Sequence, residues 1–351
     1  MFLRRYRPLS LAVPGLALLM AGCGSTPNSR SANPGATANT VASGPILGSW
    51  WDASAAGLRT VYGVAGAAYQ GPTVYNDGEY SGAGVCMRAS VALLTTKSGA
   101  LYLTNVRQGT PVQVTSQGIA NAQIVFSPSC ASALAYQPGT AGALVLRGLL
   151  SAGRTTASVS LPAGTTSAAV SDTGSILVSV PGANGSATIQ FLASGSDAFQ
   201  SVTQLANFGG MAFLPGADTA LLADAAKNTI VEAAQLTTDP ALTQIAGASA
   251  GVAHPVAIAA SSDGHAAAVA NQDGSLLRLD LSGDIAPVRT TCACSPTELQ
   301  PLAGNLAFRL NEPGTGTVWA YDGDAVHPRV VFIPTDQVAT HPVAAVKGGA
   351  R

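Results

Sequence analysis

The cysteines and histidines are the residues of this chain whose chemistry depends most on spacing. The cysteines stand at positions Cys23, Cys86, Cys130, Cys292 and Cys294. The histidines are His254, His265, His327 and His341, and none is paired at metal-ligand spacing. Cys292 and Cys294 enclose a single residue, whereas zinc sites use two to four and need further ligands nearby. We therefore expect disulfide chemistry and no metal site.

Cys23 has a context of its own. A basic segment with Arg4, Arg5 and Arg7 precedes a short apolar run, which ends in Met20-Ala21-Gly22-Cys23. This order of charge, apolar core and small residues is a secretory signal. A spanning helix needs about 20 apolar residues, and this run is shorter and interrupted by prolines. The sequence therefore predicts a signal peptide over residues 1–22 and export from the cytoplasm.

The last four residues of that signal resemble the bacterial lipobox, in which the cysteine is lipidated and becomes the new N-terminus. The resemblance implies lipidation at Cys23 and, from Gly24, sorting to the outer membrane of the cell envelope. An ordinary signal peptide with an incidental cysteine, or a twin-arginine signal at Arg4-Arg5, is the alternative. Residues 23–44 contain almost no large apolar side chain, and we expect a flexible tether there.

The composition of the full sequence limits the class of protein. Hydrophobic residues make up 47% and charged residues 10%, while 39 glycines and 21 prolines predict frequent turns and few long helices. The formal net charge is −1 and no segment clusters lysine and arginine, which argues against nucleic acid as a partner. An even number of cysteines remains after Cys23, as expected in an oxidising compartment.

An internal repeat organises residues 45–334. In four segments an apolar strand and a turn precede a second apolar stretch, and a third follows. Equivalent positions are Ser127, Ser171, Leu214 and Ser261, which gives steps of 44, 43 and 47 residues. A period of 40 to 50 residues with several short strands per unit is typical of propeller blades. We predict an all-β propeller with seven blades of four antiparallel strands.

The unit Ala257 to Leu281 resembles the repeat of bacterial YVTN-type surface propellers. The matching elements are Ser262-Asp263-Gly264, Val269-Ala270-Asn271 and Gly274. The resemblance is close in this unit alone. It implies a β-propeller fold of the YVTN or WD40-like type. It implies little about function, because propellers host unrelated activities.

Four further expectations concern particular segments. Residues Ile46 to Trp50 should complete the sheet that holds Val330 to Ile333, which would close the ring. The alanine-rich Ala217 to Leu236 should form two strands joined at Lys227-Asn228 and not a helix. Residues 335–351 are expected to be a disordered tail. Four cysteines allow three pairings, and we favour Cys86–Cys130, which lie one repeat apart, with Cys292–Cys294.

The sequence also offers candidates for a binding surface. Trp50, Trp51, the loop from Tyr75 to Tyr80, and His254 are the candidates, as exposed aromatic groups or a residue near a propeller face. Packing at the closure blade is the alternative for the aromatic residues. Asp-Gly pairs are interpreted as turn formers, and no cofactor fingerprint appears in a fitting context.

Two classes of function remain. The first is a monomeric cell-envelope lipoprotein, held to the membrane by its lipid, whose propeller binds or scaffolds envelope proteins or an extracellular ligand without catalysis. The alternative is a propeller lactonase or hydrolase with a metal in the central channel. That chemistry needs several convergent acidic or histidine side chains, and the chain has four glutamates and four histidines, which argues against it.

Overall fold

The computed structural model describes residues 44–334 except residues 108 and 315. The expected signal peptide, the lipidation site Cys23, all of the tether before Gly44, and the tail at 335–351 lie outside the described residues. Twenty-seven β-strands and three single-turn 3-10 helices make up the regular structure of the described part. No helix there is long and apolar enough to cross a membrane.

The strands group into seven antiparallel sheets in chain order, which we number as blades 1 to 7. Blade 1 holds β1 (Ile46–Asp52), β2 (Gly57–Val64) and β3 (Ala67–Val74). Blade 2 holds β4 (Tyr80–Cys86), β5 (Val91–Thr96), β6 (Leu101–Asn105) and β7 (Val112–Thr115). Blade 3 holds β8 (Gln123–Phe126), β9 (Ser132–Tyr136), β10 (Gly142–Arg147) and β11 (Thr155–Ser160). Blade 4 holds β12 (Ser167–Val170), β13 (Ile176–Pro181), β14 (Ala187–Leu192) and β15 (Gln200–Leu205).

Blade 5 holds β16 (Phe208–Phe213), β17 (Ala220–Asp224), β18 (Thr229–Ala234) and β19 (Ala241–Ala246). Blade 6 holds β20 (Pro255–Ala260), β21 (Ala266–Asn271), β22 (Ser275–Asp280) and β23 (Val288–Thr291). Blade 7 holds β24 (Gln300–Pro301), β25 (Ala307–Arg309), β26 (Val318–Asp322) and β27 (Arg329–Ile333). The 3-10 turns are Met87–Ala89, Ala183–Gly185 and Ala248–Ala250. The predicted seven-bladed all-β propeller is confirmed. Blades 2 to 7 have the four strands expected, and three strands of blade 1 are described.

The core lies between the blades and not within them. Within the described part of the chain, seven clusters of buried apolar residues each combine side chains from two neighbouring blades, including blades 7 and 1. In the cluster between blades 4 and 5, for example, Ile189 and Phe191 pack with Phe213 and Leu222. A four-stranded sheet cannot bury both of its faces alone, so stacking against two neighbours supplies what each blade lacks. The second strand of most blades is consequently buried along its length.

Ring closure differs from the expectation. β1 pairs with β2, where Ser49 lies opposite Thr60, whereas β27 pairs with β26. The prediction that Ile46 to Trp50 complete the sheet of Val330 to Ile333 is therefore wrong. The four-residue hairpin after Asp52 keeps β1 beside β2, since closing a short loop costs less chain entropy than a pairing across the whole domain. Blades 7 and 1 meet through packing and through single bonds, such as Ala303 N to Leu47 O at 2.7 Å.

The alanine-rich segment forms two strands, as predicted. β17 ends at Asp224, a buried residue that is 1% exposed. It accepts backbone N–H bonds from four residues, which are Ala206, Asn207, Ala226 and Lys227. These bonds fix the turn before β18 and tie it to the preceding blade. Tertiary hydrogen bonding thus overrides the helix propensity of alanine.

Candidate functional site

The first strands of blades 2 to 7 surround a common channel. A cavity of about 250 Å³, here called the channel mouth, lies at their carboxyl ends. Each of the six strands or its following loop contributes an apolar side chain to the wall: Val85, Phe126, Val170, Phe213, Ile258 and Leu302. Polar groups of Arg88, Ser127, Ser262 and Asn305 also line it. An apolar cavity with a few polar groups is the usual form of a ligand site.

Arg88 crosses the channel mouth. Its guanidinium Nη1 donates to the backbone carbonyl oxygen of Ser262, so a side chain of blade 2 contacts blade 6. The side chain is exposed, and no carboxylate within the described residues forms an ion pair with it. A guanidinium has five N–H donors, which leaves donors of Arg88 available at the mouth for an anionic or carbonyl acceptor.

Opposite Arg88 the rim is held in place by hydrogen bonds between blades 6 and 7. The Asn305 side-chain oxygen accepts from Ser262 Oγ at 2.8 Å and from Asp263 N at 3.0 Å. Asn305 Nδ2 donates to Asp263 Oδ2 at 2.8 Å. Desolvation raises the pKa of Asp263, but hydrogen bonds from Ser261, His265 and Asn305 outweigh it and hold the pKa below its usual value. The carboxylate is therefore ionised and already hydrogen-bonded, which suits a structural part of the rim.

A second cavity of about 260 Å³ lies against blade 1, here called the blade-1 cavity. Its lining includes Ser49, Trp50 and Trp51 of β1, Gly84 of β4 and Gln300 of β24. Val85, Ile124 and Gln300 line both cavities. The two cavities are therefore adjacent.

Trp50 is a packing residue of the blade 7–blade 1 interface. It is 4% exposed and belongs to the cluster that contains Val61, Leu302 and Val318. The guanidinium carbon of Arg309 stands 5.5 Å from its ring centroid, and Arg309 is paired with Glu298 at 2.8 Å. The neighbouring Trp51 is half-buried, lines the blade-1 cavity and packs towards blade 2.

Tyr75 and Tyr80 lie at the junction of blades 1 and 2. Tyr80 is 6% exposed, and its ring meets Tyr75 and Tyr102 edge to face at 6.4 and 5.7 Å. Burial raises the pKa of Tyr80 to about 12. The half-buried Tyr75 shares a 2.7 Å hydrogen bond with Thr104 Oγ1. The two tyrosines therefore belong to a structural cluster, and neither lines the channel mouth.

His254 lies apart from these aromatic residues. It is exposed and adopts a positive φ of 48° directly before β20. Its backbone N–H donates to Asn228 Oδ1 at 2.6 Å, which joins blade 6 to blade 5. The structure therefore does not bring the predicted surface residues Trp50, Trp51, Tyr75, Tyr80 and His254 into one site.

Both favoured disulfides are formed. Cys86–Cys130 joins the end of β4 to the turn after β8, with Cα atoms 5.9 Å apart. The left-handed Cys130, at φ 65°, lies in a loop, which lets adjacent blades approach closely enough for a bridge. Cys292–Cys294, with Cα atoms 5.0 Å apart, lies in the connection from β23 to β24. Cys86 also lines the channel mouth.

The residues of the channel mouth were missed by sequence reasoning. Arg88 belongs to no motif, and its contact lies 174 positions away. Its one available signal is its place just after an inner strand, and blade 2 matches the repeat too loosely to show it. No group of three histidine, cysteine, aspartate or glutamate side chains that could hold a metal is found in the part of the chain that the structure describes.

Comparison with known proteins supports the fold of this chain and nothing beyond it. No protein-family model matches the chain, and no curated protein matches it in sequence. A functionally unknown protein from Desulfotomaculum acetoxidans DSM 771 is similar in structure, with a TM-score of 0.55 and 13% identity over 83% of this chain and 100% of that one. The β-propeller domain of Myceliophteria thermophila Cps50 (Swd1) gives a TM-score of 0.52 and 10% identity, covering 74% and 88%. The shared feature is the propeller fold. At these identities the likeness carries no function.

Proposed function

We propose that this chain is a lipid-anchored protein of the bacterial cell envelope whose propeller binds a partner at the channel mouth without catalysing a reaction. The channel mouth carries this proposal. Its wall is apolar on six strands, and among the described residues its rim holds one exposed cation with spare donors, Arg88. The secretory signal and Cys23 support the location.

The chemistry of the mouth selects a class of partner. An apolar side chain would enter between residues such as Phe126, Met211 and Phe213. A carboxylate beside that side chain would pair with the Arg88 guanidinium, which binds carboxylates through two parallel N–H bonds. A peptide segment of an envelope protein, with an apolar residue next to an acidic one, fits both features.

A photo-cross-linking experiment in the native envelope tests the binding surface. p-Benzoylphenylalanine replaces the half-buried Pro128 at the mouth, or the exposed Thr156 on the outer strand β11 as the matched control position. We expect a discrete cross-linked species from position 128 alone. Arg88→Glu should remove it, because an acidic partner would then be repelled. Cross-linking that is equal at the two positions, or that Arg88→Glu leaves unchanged, would place the binding surface elsewhere.

The anchor is tested separately. Mass spectrometry of the mature protein should find an N-terminal, lipid-modified Cys23, and Cys23→Ser should release the protein from the membrane fraction. A mature chain that begins at another residue, or membrane association that survives Cys23→Ser, would refute the lipid anchor. Neither result bears on the channel mouth, so the two parts of the proposal can fail independently.

A further inference from the structure

Charged residues are distributed unevenly over the blades. The sequence has 18 acidic residues, yet none of them lies between Tyr80 and Ser171, a stretch that includes all of blades 2 and 3. The same stretch contains five basic residues: Arg88, Lys97, Arg107, Arg147 and Arg154. These residues are not adjacent in sequence, so the fold decides which of them share a surface.

The topology of a blade places its loops at one end or the other. Neighbouring strands are antiparallel, so the turn after the first strand and the connection between the third and fourth strands lie at the same end. In blade 2, Val106 N donates to Ser90 O at 3.0 Å, and in blade 3, Leu149 N donates to Ala131 O at 2.9 Å. These first turns border the channel mouth. The connections between third and fourth strands therefore lie outside them on the same face, here called the mouth face.

The outer connections of the mouth face differ in the sign of their charge. In blades 2 to 7, each connection between the third and fourth strands contains a single arginine or aspartate. The residue is an arginine in blades 2 and 3 and an aspartate in blades 4 to 7: Arg107, Arg154, Asp197, Asp239, Asp284 and Asp324. All six residues are exposed. The mouth face is therefore cationic over two blades and anionic over four.

Arg88, Arg107 and Arg154 are here called the cationic sector. All three are exposed, and within the described residues no carboxylate forms an ion pair with any of them. At the border with blade 4, Asp172 already accepts hydrogen bonds from Ser129 and Gly216. Grouped cations without counter-charges create a positive potential that attracts an anionic partner.

The cationic sector also presents apolar side chains. Leu150, in the outer connection of blade 3, is 54% exposed, and Val112, at the start of β7 in blade 2, is 53% exposed. A partner that covers the sector would bury these two side chains together with the charged groups, as protein interfaces commonly do.

The positions of two arginines in one blade limit the form of the partner. Arg88 lies in the turn between the first and second strands of blade 2, and Arg107 lies between the third and fourth. Two strand spacings, about 10 Å, separate these positions, and an extended chain covers about 3.3 Å per residue. Acidic residues about three positions apart in an extended segment would therefore reach both guanidinium groups, each of which can bind a carboxylate through two N–H bonds.

We propose that the cationic sector is the docking surface for an extended acidic segment of a partner protein, with acidic residues about three positions apart. It deepens the proposed function, on which it rests for the apolar side chain in the channel mouth, and it leads the partner outward from there over blades 2 and 3. An anionic membrane lying on the mouth face would also meet Asp197, Asp239 and Asp284, which would repel it. A segment confined to blades 2 and 3 avoids them.

Fluorescence anisotropy with the purified full chain tests the surface. The labelled probe is the peptide Phe-Glu-Ser-Ser-Glu-Ser-Ser-Glu. Lys97→Glu is the matched control for Arg107→Glu, because Lys97 is exposed in the turn between β5 and β6, at the opposite end of the same blade. We expect Arg107→Glu, and separately Arg154→Glu, to weaken binding about tenfold or more, and Lys97→Glu less than about twofold. Equal weakening by Arg107→Glu and Lys97→Glu would reduce the effect to overall charge and would overturn the proposal.

Competition distinguishes the possible occupants. Unlabelled peptide should displace the probe, whereas vesicles of phosphatidylglycerol should not. Displacement by the vesicles would assign the sector to a lipid surface, and probe binding that is lost as the chain dimerises would assign it to the acidic blades of a second copy. Either result would overturn the proposal.

The cross-link at position 128 keeps this inference apart from the proposed function. If wild type cross-links there, while Arg107→Glu and Arg154→Glu change neither the cross-link nor probe binding, the cationic sector is refuted and the channel mouth stands. If the cross-link is absent but the probe still binds and Arg107→Glu weakens it, the cationic sector is supported and the channel mouth is refuted.

Discussion

Asp172 and Ser129 form two hydrogen bonds across the interface of blades 3 and 4. Asp172 Oδ1 accepts from the backbone nitrogen of Ser129 at 2.8 Å and from its hydroxyl at 2.6 Å. The other oxygen, Oδ2, accepts from the backbone nitrogen of Gly216 in blade 5 at 2.8 Å. One carboxylate thus joins three consecutive blades. Asp172 lies in the turn after β12, the inner strand of blade 4. In the corresponding turn of blade 6, the backbone nitrogen of Asp263 donates to Asn305 Oδ1 and joins blades 6 and 7.

Replacing Asp172 should destabilise the propeller in a pH-dependent way. Burial raises the pKa of Asp172, but its hydrogen bonds from Ser129 and Gly216 outweigh burial and hold the pKa below 3.8. A lowered folded pKa means that the stabilisation is present above about pH 4 and is lost as the pH falls through the folded pKa. We expect Asp172→Asn to cost about 1 to 3 kcal/mol in the free energy of unfolding at pH 7.

Urea unfolding at pH 7 and at several values below pH 4 measures this. The difference between wild type and Asp172→Asn should shrink as the acid range is entered. Asp197→Asn is the matched control, because Asp197 is exposed and makes no hydrogen bond or ion pair with other described residues. A difference that stays constant with pH would show that the carboxylate charge of Asp172 contributes nothing.

The Cys86–Cys130 disulfide should contribute more to stability than Cys292–Cys294. The first bridge has a sequence separation of 44 and the second of 2. Closing the longer loop removes more entropy from the unfolded chain, so Cys86→Ser with Cys130→Ser should cost about 2 to 4 kcal/mol. The matched double variant Cys292→Ser with Cys294→Ser should cost less. Chemical unfolding of the three oxidised proteins compares them, and an equal loss in both variants would contradict the loop-length argument.

Sequence reasoning recovered the features that repeat and missed those that occur once. The spacing of Ser127, Ser171 and Ser261 predicted the blades, because each unit must bury its faces against a neighbour. The pairing of Cys86 with Cys130 followed from the same register. The partner of β1 was predicted wrongly, because an apolar strand pattern identifies a buried strand and not the strand beside it. The contact of Arg88 with Ser262 spans the channel, and no local pattern encodes it.

Trp50 should be the aromatic residue on which closure of the ring most depends. It is buried between blades 7 and 1, and its ring contacts the Arg309 guanidinium, which is held by Glu298. Trp50→Ala removes the largest apolar group of this interface and leaves a cavity, so we expect a loss of about 3 to 5 kcal/mol. Trp51→Ala is the matched control. Trp51 is half-buried, so its truncation should cost less.

Trp50→Phe separates packing from the cation–π contact. Phenylalanine keeps part of the apolar volume but has a weaker ring quadrupole. The Tm of Trp50→Phe should therefore lie between the Tm of wild type and the Tm of Trp50→Ala. Thermal unfolding followed by far-ultraviolet circular dichroism gives Tm for the four proteins. Because blades 7 and 1 share no described strand pairing, we expect side-chain packing to contribute most to this interface, beside single hydrogen bonds such as Ala303 N to Leu47 O. Trp50→Ala melting at the temperature of Trp51→Ala would show that ring closure rests on other contacts at the interface of blades 7 and 1.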